Sequence, residues 1–469
     1  MRAAIGPALA HLAMLGAGFG VLRLIGTLSP ITPRRVLANA GLAYLAGIGV
    51  VTMVLLALMT AGVALSLGLF AALCAVLAVP FLIGLLRPDA WRGLDVRGGL
   101  RGLDTEGRLV AAVIVGLLAL AVVVTASAGL LTLGEYDAWQ SWTRKALLLF
   151  YDPHLPKEIF SAHVTSEVKP DYPLLLPLFE ALQMRAGGTP NESQAHIGPW
   201  LILVASIWAV CGLGARATRP FVWVSVAGGV GVLLVPTALT AYADVPGAGF
   251  VAVGTLALGL WLQDRRLPDL LLAAIVLGAA AGMKVEGLGA AIIAFAVVVV
   301  LLGIGREWRP AGLAALAGGV ALIVAVVPWR LWVSAQGIKG SVTLSESVSP
   351  AYLFDHFDRV WPSVQAIASQ FTSQNLAQIT IPVAIALAIV RLRDAPRLAV
   401  FYLAVGVLYV VSLVWAYWTS PYDLGFHIFT SVGRVFIGPV AIAMVALVHL
   451  SGERGQSSSA APGAVLSKT

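Results

Sequence analysis

Apolar residues along this chain come in continuous blocks separated by short polar breaks. The blocks fall at about 5–22, 36–59, 62–86, 109–131, 171–186, 197–214, 220–238, 247–262, 270–282, 288–304, 311–333, 377–390, 398–417 and 435–450. Most approach the ~20 residues that an α-helix needs to cross ~30 Å of hydrocarbon. Runs such as Ala111 to Val124 (AAVIVGLLALAVVV) show no apolar–polar alternation, so the pattern predicts helices rather than barrel strands. The expected architecture is an all-α polytopic membrane protein with about 12–14 transmembrane helices. Amphipathic spacing within two of the breaks predicts short helices lying along a membrane surface.

Composition agrees. Hydrophobic residues make up 59% and charged residues 11%, where a soluble domain carries roughly a quarter charged residues. The net charge of +7 reads as arginine in cytoplasmic loops, not as a nucleic-acid surface. Cys74 and Cys211 both fall in apolar blocks, which argues against a structural disulfide or a cysteine-based metal cluster. The first block has no small-residue cleavage site and is expected to stay as a helix.

Basic breaks set the threading. Arg23, Arg34 and Arg35, then Arg87 to Arg108, then Arg265 and Arg266, Arg306 and Arg309, and Arg391, Arg393 and Arg397 all read as cytoplasmic. Counting crossings puts 132–170, the turn MKVEG (Met283 to Gly287), 334–374 and 418–434 on the opposite face. Arg216 and Arg219 break parity: either the short block 171–186, with Pro173, Pro177 and Glu180, stops short of crossing, or that loop breaks the rule. The expected divisions are N-terminal helices with a basic loop over 1–108 and a membrane module over 109–335, whose first outer loop is 132–170. An outer amphipathic segment and final helices follow over 336–450, and a disordered cytoplasmic tail over 451–469.

The candidate chemistry collects on the outer face. GEYDAWQSW, VKPDYPLLLP, AYADVP, MKVEG, FDHFD and SPYDLGFHIFTSVGR all map there. Ionisable residues near bilayer depth are costly, and are either paired or functional. Lys169, Lys284 and Arg434 stand where cations ordinarily avoid, and an anionic ligand such as a lipid phosphate would explain them. Glu135 and Asp137 follow a span directly, and their plainer reading is a surface ion pair to Arg144 or Lys145. Tyr136, Trp139 and Trp142, three apart, predict an aromatic stripe at the interface. Prolines 170, 173 and 177 hold Lys169 in an extended approach, though Lys also snorkels without a ligand. MKVEG lies between two blocks short enough to be half-helices, and Lys284 and Glu286 there could simply neutralise each other. Leu353, Phe354, Phe357, Val360 and Trp361 predict one amphipathic helix over Ala351 to Phe371, with Asp355, His356, Asp358 and Arg359 on its solvated face. His427 and Arg434, two helical turns apart with Ser431 between, form the outline of an anion-binding stripe.

No Walker A loop, GxSxG elbow, HExxH or CxxC pair occurs in a fitting context. A span, an outer loop opening on an acidic motif, an interfacial helix and a proline-rich return together resemble the GT-C glycosyltransferases. The branch with protein mannosyltransferases and aminoarabinose transferases is the nearest in pattern. Asp137 matches that branch's catalytic Asp, with Ala138 where a Glu is usual. Lys169-Pro170 with Asp171-Tyr172-Pro173 resembles its lysine–proline motif, and Tyr242, Asp244 and Pro246 its Asp-x-Pro turn. The resemblance covers roughly 109–335.

It implies an enzyme of the cytoplasmic (inner) membrane that works on the extracytoplasmic face. The donor would be a polyprenyl-phosphate-linked sugar, and the acceptor a cell-envelope glycan, a lipid or a protein. Asp137, with Glu135 beside it, would be catalytic. Lys169, Asp171, Tyr172, Asp244, Lys284, Glu286, His427 and Arg434 would bind substrate or lipid phosphate. The resemblance implies no cofactor beyond the donor itself; a divalent metal has no support in the sequence, and no nucleic-acid partner is expected. Two other readings stay open: an O-antigen ligase or polymerase led by His and Arg, and a transporter or flippase of lipid-linked sugars.

Overall fold

The structure, a computed structural model, describes residues 2–87, 105–128, 134–155, 169, 171–338 and 348–452. Among these residues all regular structure is helical. In chain order the helices are α1 (Arg2–Leu24), α2 (Pro33–Ala38), α3 (Ala40–Thr60), α4 (Leu67–Leu85), α5 (Thr105–Ala128), α6 (Arg144–Tyr151) and α7 (Leu175–Gly187). There follow α8 (Ser193–Gly214), α9 (Pro220–Leu233), α10 (Val235–Ala238), α11 (Asp244–Asp264), α12 (Leu267–Met283), α13 (Val285–Ile304) and α14 (Trp308–Ala335). The last are α15 (Pro350–Asp355), α16 (Val360–Ser373), α17 (Asn375–Arg391), α18 (Pro396–Trp418), α19 (Leu424–Val435) and α20 (Ile437–Leu450). Nine helices among the described residues are long and apolar enough to span a bilayer, ten if the pair α16–α17, bent by 94°, counts as one more. Three shorter apolar helices, Ile114–Ser127, Val222–Leu233 and Leu267–Met283, lie in the same bundle. This is a multi-pass membrane protein.

Helix α11 is the axis. Every residue from Asp244 to Leu262 is buried, as an all-apolar helix requires. It packs against α8, α12, α13 and α20. Its two ends differ in chemistry. At the Asp264 end, Arg216 pairs with Asp269 (2.7 Å) and Asp264 (3.3 Å), and Glu307 takes both Arg265 (2.9 Å) and Arg397 (2.5 Å). Arg391 donates there to the carbonyls of Leu450 and Gly452. At the Asp244 end the other charged motifs meet.

Inside a membrane, helices gain nothing from leaving lipid, so close backbone packing over small residues must hold them. The α1–α3 crossing shows it. A Cβ on Gly18 would sit 1.6 Å from the Ala43 carbonyl oxygen, and one on Gly47 1.9 Å from that of Met14.

The structure bears on the parity conflict. Helix α7 has thirteen residues and, unlike α9 and α12, is not among the shorter apolar helices of the bundle, which agrees with a block that stops short of crossing. Its Arg185 donates to the carbonyls of Leu149 and Leu65 (3.0 and 3.2 Å), which pins its C-terminus beside the α3–α4 turn. If α7 stops short of crossing, α8 alone among the described helices separates the Asp137 loop from Arg216, and the expected threading keeps its parity.

Three expectations are corrected. MKVEG does not join half-helices: α13 alone has twenty residues and is long enough to span, and only Lys284 is extended between α12 and α13. The aromatic stripe is broken, because residues Ala138–Thr143 wind as a π-helix. The wider turn leaves Tyr136 and Trp139 exposed and buries Trp142. The segment 351–371 is not one helix but α15, a 3₁₀ turn Phe357–Arg359, and α16. Arg359 is not on a solvated face there; it donates to the carbonyls of Ser420 and Tyr422 and ties this segment to the loop before α19. The expected loop around Arg97, Pro170 and the tail from 453 lie outside the described residues.

Candidate functional site: a charged cluster at the Asp244 end

The cluster begins at two helix starts. Asp244 stands in the first turn of α11 and Glu286 in the first turn of α13, where the helix dipole favours a carboxylate. Lys284 lies between them. Its Nζ is 2.7 Å from Asp244 Oδ1 and 3.1 Å from Glu286 Oε1. Burial alone would lower the ammonium's pKa, but Asp244 and Glu286 outweigh it and the net direction is upward.

Arg434 arrives from the last turn of α19, and its Nη2 is 2.6 Å from Asp137 Oδ2. Its Nη1 is 3.8 Å from Asp244 Oδ2. The guanidinium stacks 4.0 Å over the Tyr242 ring, and the Tyr242 hydroxyl donates to Glu135 Oε2 at 2.9 Å. Burial first, and this bond second, raise the Tyr242 pKa and keep it a donor. The expected surface pairs of Glu135 and Asp137 with Arg144 or Lys145 are therefore not formed; Arg144 donates to Gln140 instead.

Lys169 differs from the other cations. Its Nζ lies over two rings, Tyr172 at 5.1 Å and Tyr422 at 5.6 Å, and it makes no ion pair among the described residues. It lies close enough to Asp137, Lys284, Glu286 and Arg434 for their charges to act on it, while burial holds its pKa below the ordinary value. Its backbone has φ +47°, an uncommon and strained region for a non-glycine residue. Lys145, fully buried, donates to the Lys169 carbonyl at 2.7 Å and so fixes that conformation. Burial pulls the Lys145 amine down to about 7, against the opposing charge of Asp171.

Asp171 is buried. Its carbonyl accepts from Trp329 Nε1 (3.1 Å), and its Oδ2 is 3.7 Å from Arg330. Tyr172 packs between Lys169 and Trp142. His427 shares a hydrogen bond with Ser420 Oγ (2.8 Å) and packs against Tyr417 and Tyr422. The proposed stripe is thus spent internally: Ser431 bonds Tyr417, and Arg434 bonds acids on other elements.

All ten candidate residues meet at this end, although Asp137 and Arg434 stand 297 positions apart in sequence. Sequence reading took Lys145 only as a surface partner of Glu135 or Asp137, and did not single out Arg330, Tyr409 or Tyr422. Arg330 had a visible signal, an arginine inside the apolar block 311–333. Lys145 is fully buried instead of at the surface. Among the described residues no group of three His, Cys, Asp or Glu side chains could hold a metal ion.

No protein-family model, curated protein or solved structure matches this chain. The site must therefore be read from its own chemistry. Two cations are each held between two carboxylates, a third lies over aromatic rings, and Asp137, at the rim, keeps a quarter of its side chain exposed (26%) while Asp244 keeps 3%.

Proposed function

We propose that this cluster is the active site of a membrane glycosyltransferase of the GT-C kind. It moves a sugar from a polyprenyl phosphate to an acceptor hydroxyl on the extracytoplasmic face of the inner membrane. The observation that carries the reading is Lys169: a half-buried cation, clamped by aromatic rings and held in a strained backbone, within reach of Asp137 and Arg434 but without a carboxylate of its own. Such a group is poised for an anion that the protein does not supply. A phosphate fits, because Arg434 beside it presents a planar fork suited to phosphate oxygens.

The reaction follows from reach. Asp137 takes the proton of the acceptor hydroxyl as general base. The oxygen attacks the anomeric carbon, the bond from that carbon to the phosphate oxygen breaks, and the phosphate leaves with the electron pair. Lys169 and Arg434 receive its charge. One displacement inverts the anomeric centre. Without ligand, Arg434 ties Asp137 at 2.6 Å. A phosphate that claims Arg434 frees Asp137 for the acceptor, which couples base activation to donor binding. Asp244 is too buried to meet an acceptor and keeps Arg434 and Lys284 in place.

Native mass spectrometry of the protein with a supplied polyprenyl-phosphate sugar tests the reading. A one-to-one adduct is expected, weakened at least tenfold by Lys169→Met. An adduct indifferent to Lys169→Met would remove Lys169 from the phosphate site, and no adduct at all would sink the donor class.

A further inference from the structure

Inside the cluster lies a cavity of about 20 Å³, lined by Asp244, Gly247, Lys284, Glu286, Tyr409 and Arg434 among others. A water needs roughly 10–15 Å³ of such space and two to four polar partners. Two groups lack hydrogen-bond partners here. Asp244 Oδ2 and Glu286 Oε2 are buried without a hydrogen bond. Tyr409, from α18, also lines the cavity and lies close enough for the charges of Glu286, Lys284 and Asp244 to act on it.

We propose that this cavity is a binding site for one water molecule, which donates to Asp244 Oδ2 and Glu286 Oε2 and accepts from the Tyr409 hydroxyl. The match is one of number and kind: two acceptors and one donor face a space for one molecule with two donors and free lone pairs. A cation is disfavoured, because the two lining carboxylates are already balanced by the two lining cations, Lys284 and Arg434. Leaving a buried acceptor unmade is costly, so the water completes the shell of Asp244, the acid shared by Lys284 and Arg434. It holds both cations in register before any ligand arrives. The inference rests on the cavity and does not depend on glycosyl transfer.

Gly247→Ala tests it. The nearest atom to a Cβ there, outside the helix's own backbone, is Met283 Cγ at 3.8 Å, so the methyl fits the protein and takes cavity space. In a dry cavity this change inside a helix should raise the thermal midpoint. Expelling a bound water should lower it. Gly229→Ala on α9, where a Cβ meets nothing within 4 Å, calibrates the rise. A Gly247→Ala midpoint that rises with Gly229→Ala overturns the proposal. A density map that resolves internal waters decides independently. One peak about 2.6–3.2 Å from all three groups is expected. No peak, or contacts of about 2.3–2.6 Å typical of a cation, would refute it.

Discussion

Asp137 and Glu135 are two residues apart, yet they serve different partners, Arg434 and Tyr242. That separation allows a discriminating experiment. If Asp137 is the base, Asp137→Asn should lower the rate of sugar release on the order of 10²–10⁴-fold, with donor binding retained. Glu135→Gln loses only a charged acceptor for Tyr242 and should stay within about tenfold. The reverse outcome would move the base to Glu135. Inactivity in neither would leave His427 as the better lead. Lys145 gives a second test at this scale. Its folded value of about 7 lies below the ordinary 10.5. The unfolded chain therefore binds more protons between those values, and stability rises with pH across that window. Each unit of depression is worth about 1.4 kcal/mol. The thermal midpoint should climb from about pH 7 toward pH 10 in the wild type, and climb less in Lys145→Met. Equal slopes would show that Lys145 is not the titrating group. Nine of the ten candidate residues stood out in sequence because ionisable groups are rare in this chain, and Tyr172 came with the lysine–proline motif. Their partners were not legible, because pairing across 297 positions is set by how helices pack.

Each apolar block became a helix, because bilayer-length apolar runs leave the backbone no other way to satisfy itself. What sequence could not give were local windings and breaks. The π-helix over Ala138–Thr143 turns Trp142 inward, and no period in GEYDAWQSW announces it. The extended residue Lys284 replaces an expected pair of half-helices with two longer ones. Helix–helix contacts are legible only as glycines, and α1 against α3 makes the consequence measurable. Gly47→Val puts a side chain where Met14 O lies 1.9 Å from the Cβ. Backbones must separate, at a cost of about 1–3 kcal/mol for overpacking or more, read as a lower midpoint and reduced yield of folded protein. Gly229→Val, facing open space on α9, should change little. If both behave alike, the α1–α3 contact is looser than the geometry here.

Across the whole molecule, α11 separates two kinds of charge. The Asp264 end holds Arg216, Arg265, Arg391 and Arg397 with the acids Asp264, Asp269 and Glu307, at helix ends and in the turns between them. The Asp244 end buries its acids and cations against each other. The positive-inside rule predicts that the first end faces the cytoplasm, and the outcome of that prediction decides which donor can reach the site. Gly134 is exposed beside Asp137, and Arg393 is exposed beside Arg391. Gly134→Cys should react with a membrane-impermeant maleimide on intact cells. Arg393→Cys should react only after permeabilisation. The natural cysteines do not confuse the reading, since Cys74 and Cys211 lie within apolar helices. If the accessibilities are exchanged, the fold stands but the cluster faces the cytoplasm, where soluble nucleotide sugars are at hand. A lipid-phosphate donor would then lose its rationale, and Lys169 and Arg434 would have to be explained by a diphosphate instead. If both positions label from outside, the seven crossings that the expected threading gives to α8, α9, α11, α12, α13, α14 and α17 are not all made. One of the shorter helices, α9 or α12, would then be the segment that fails to cross.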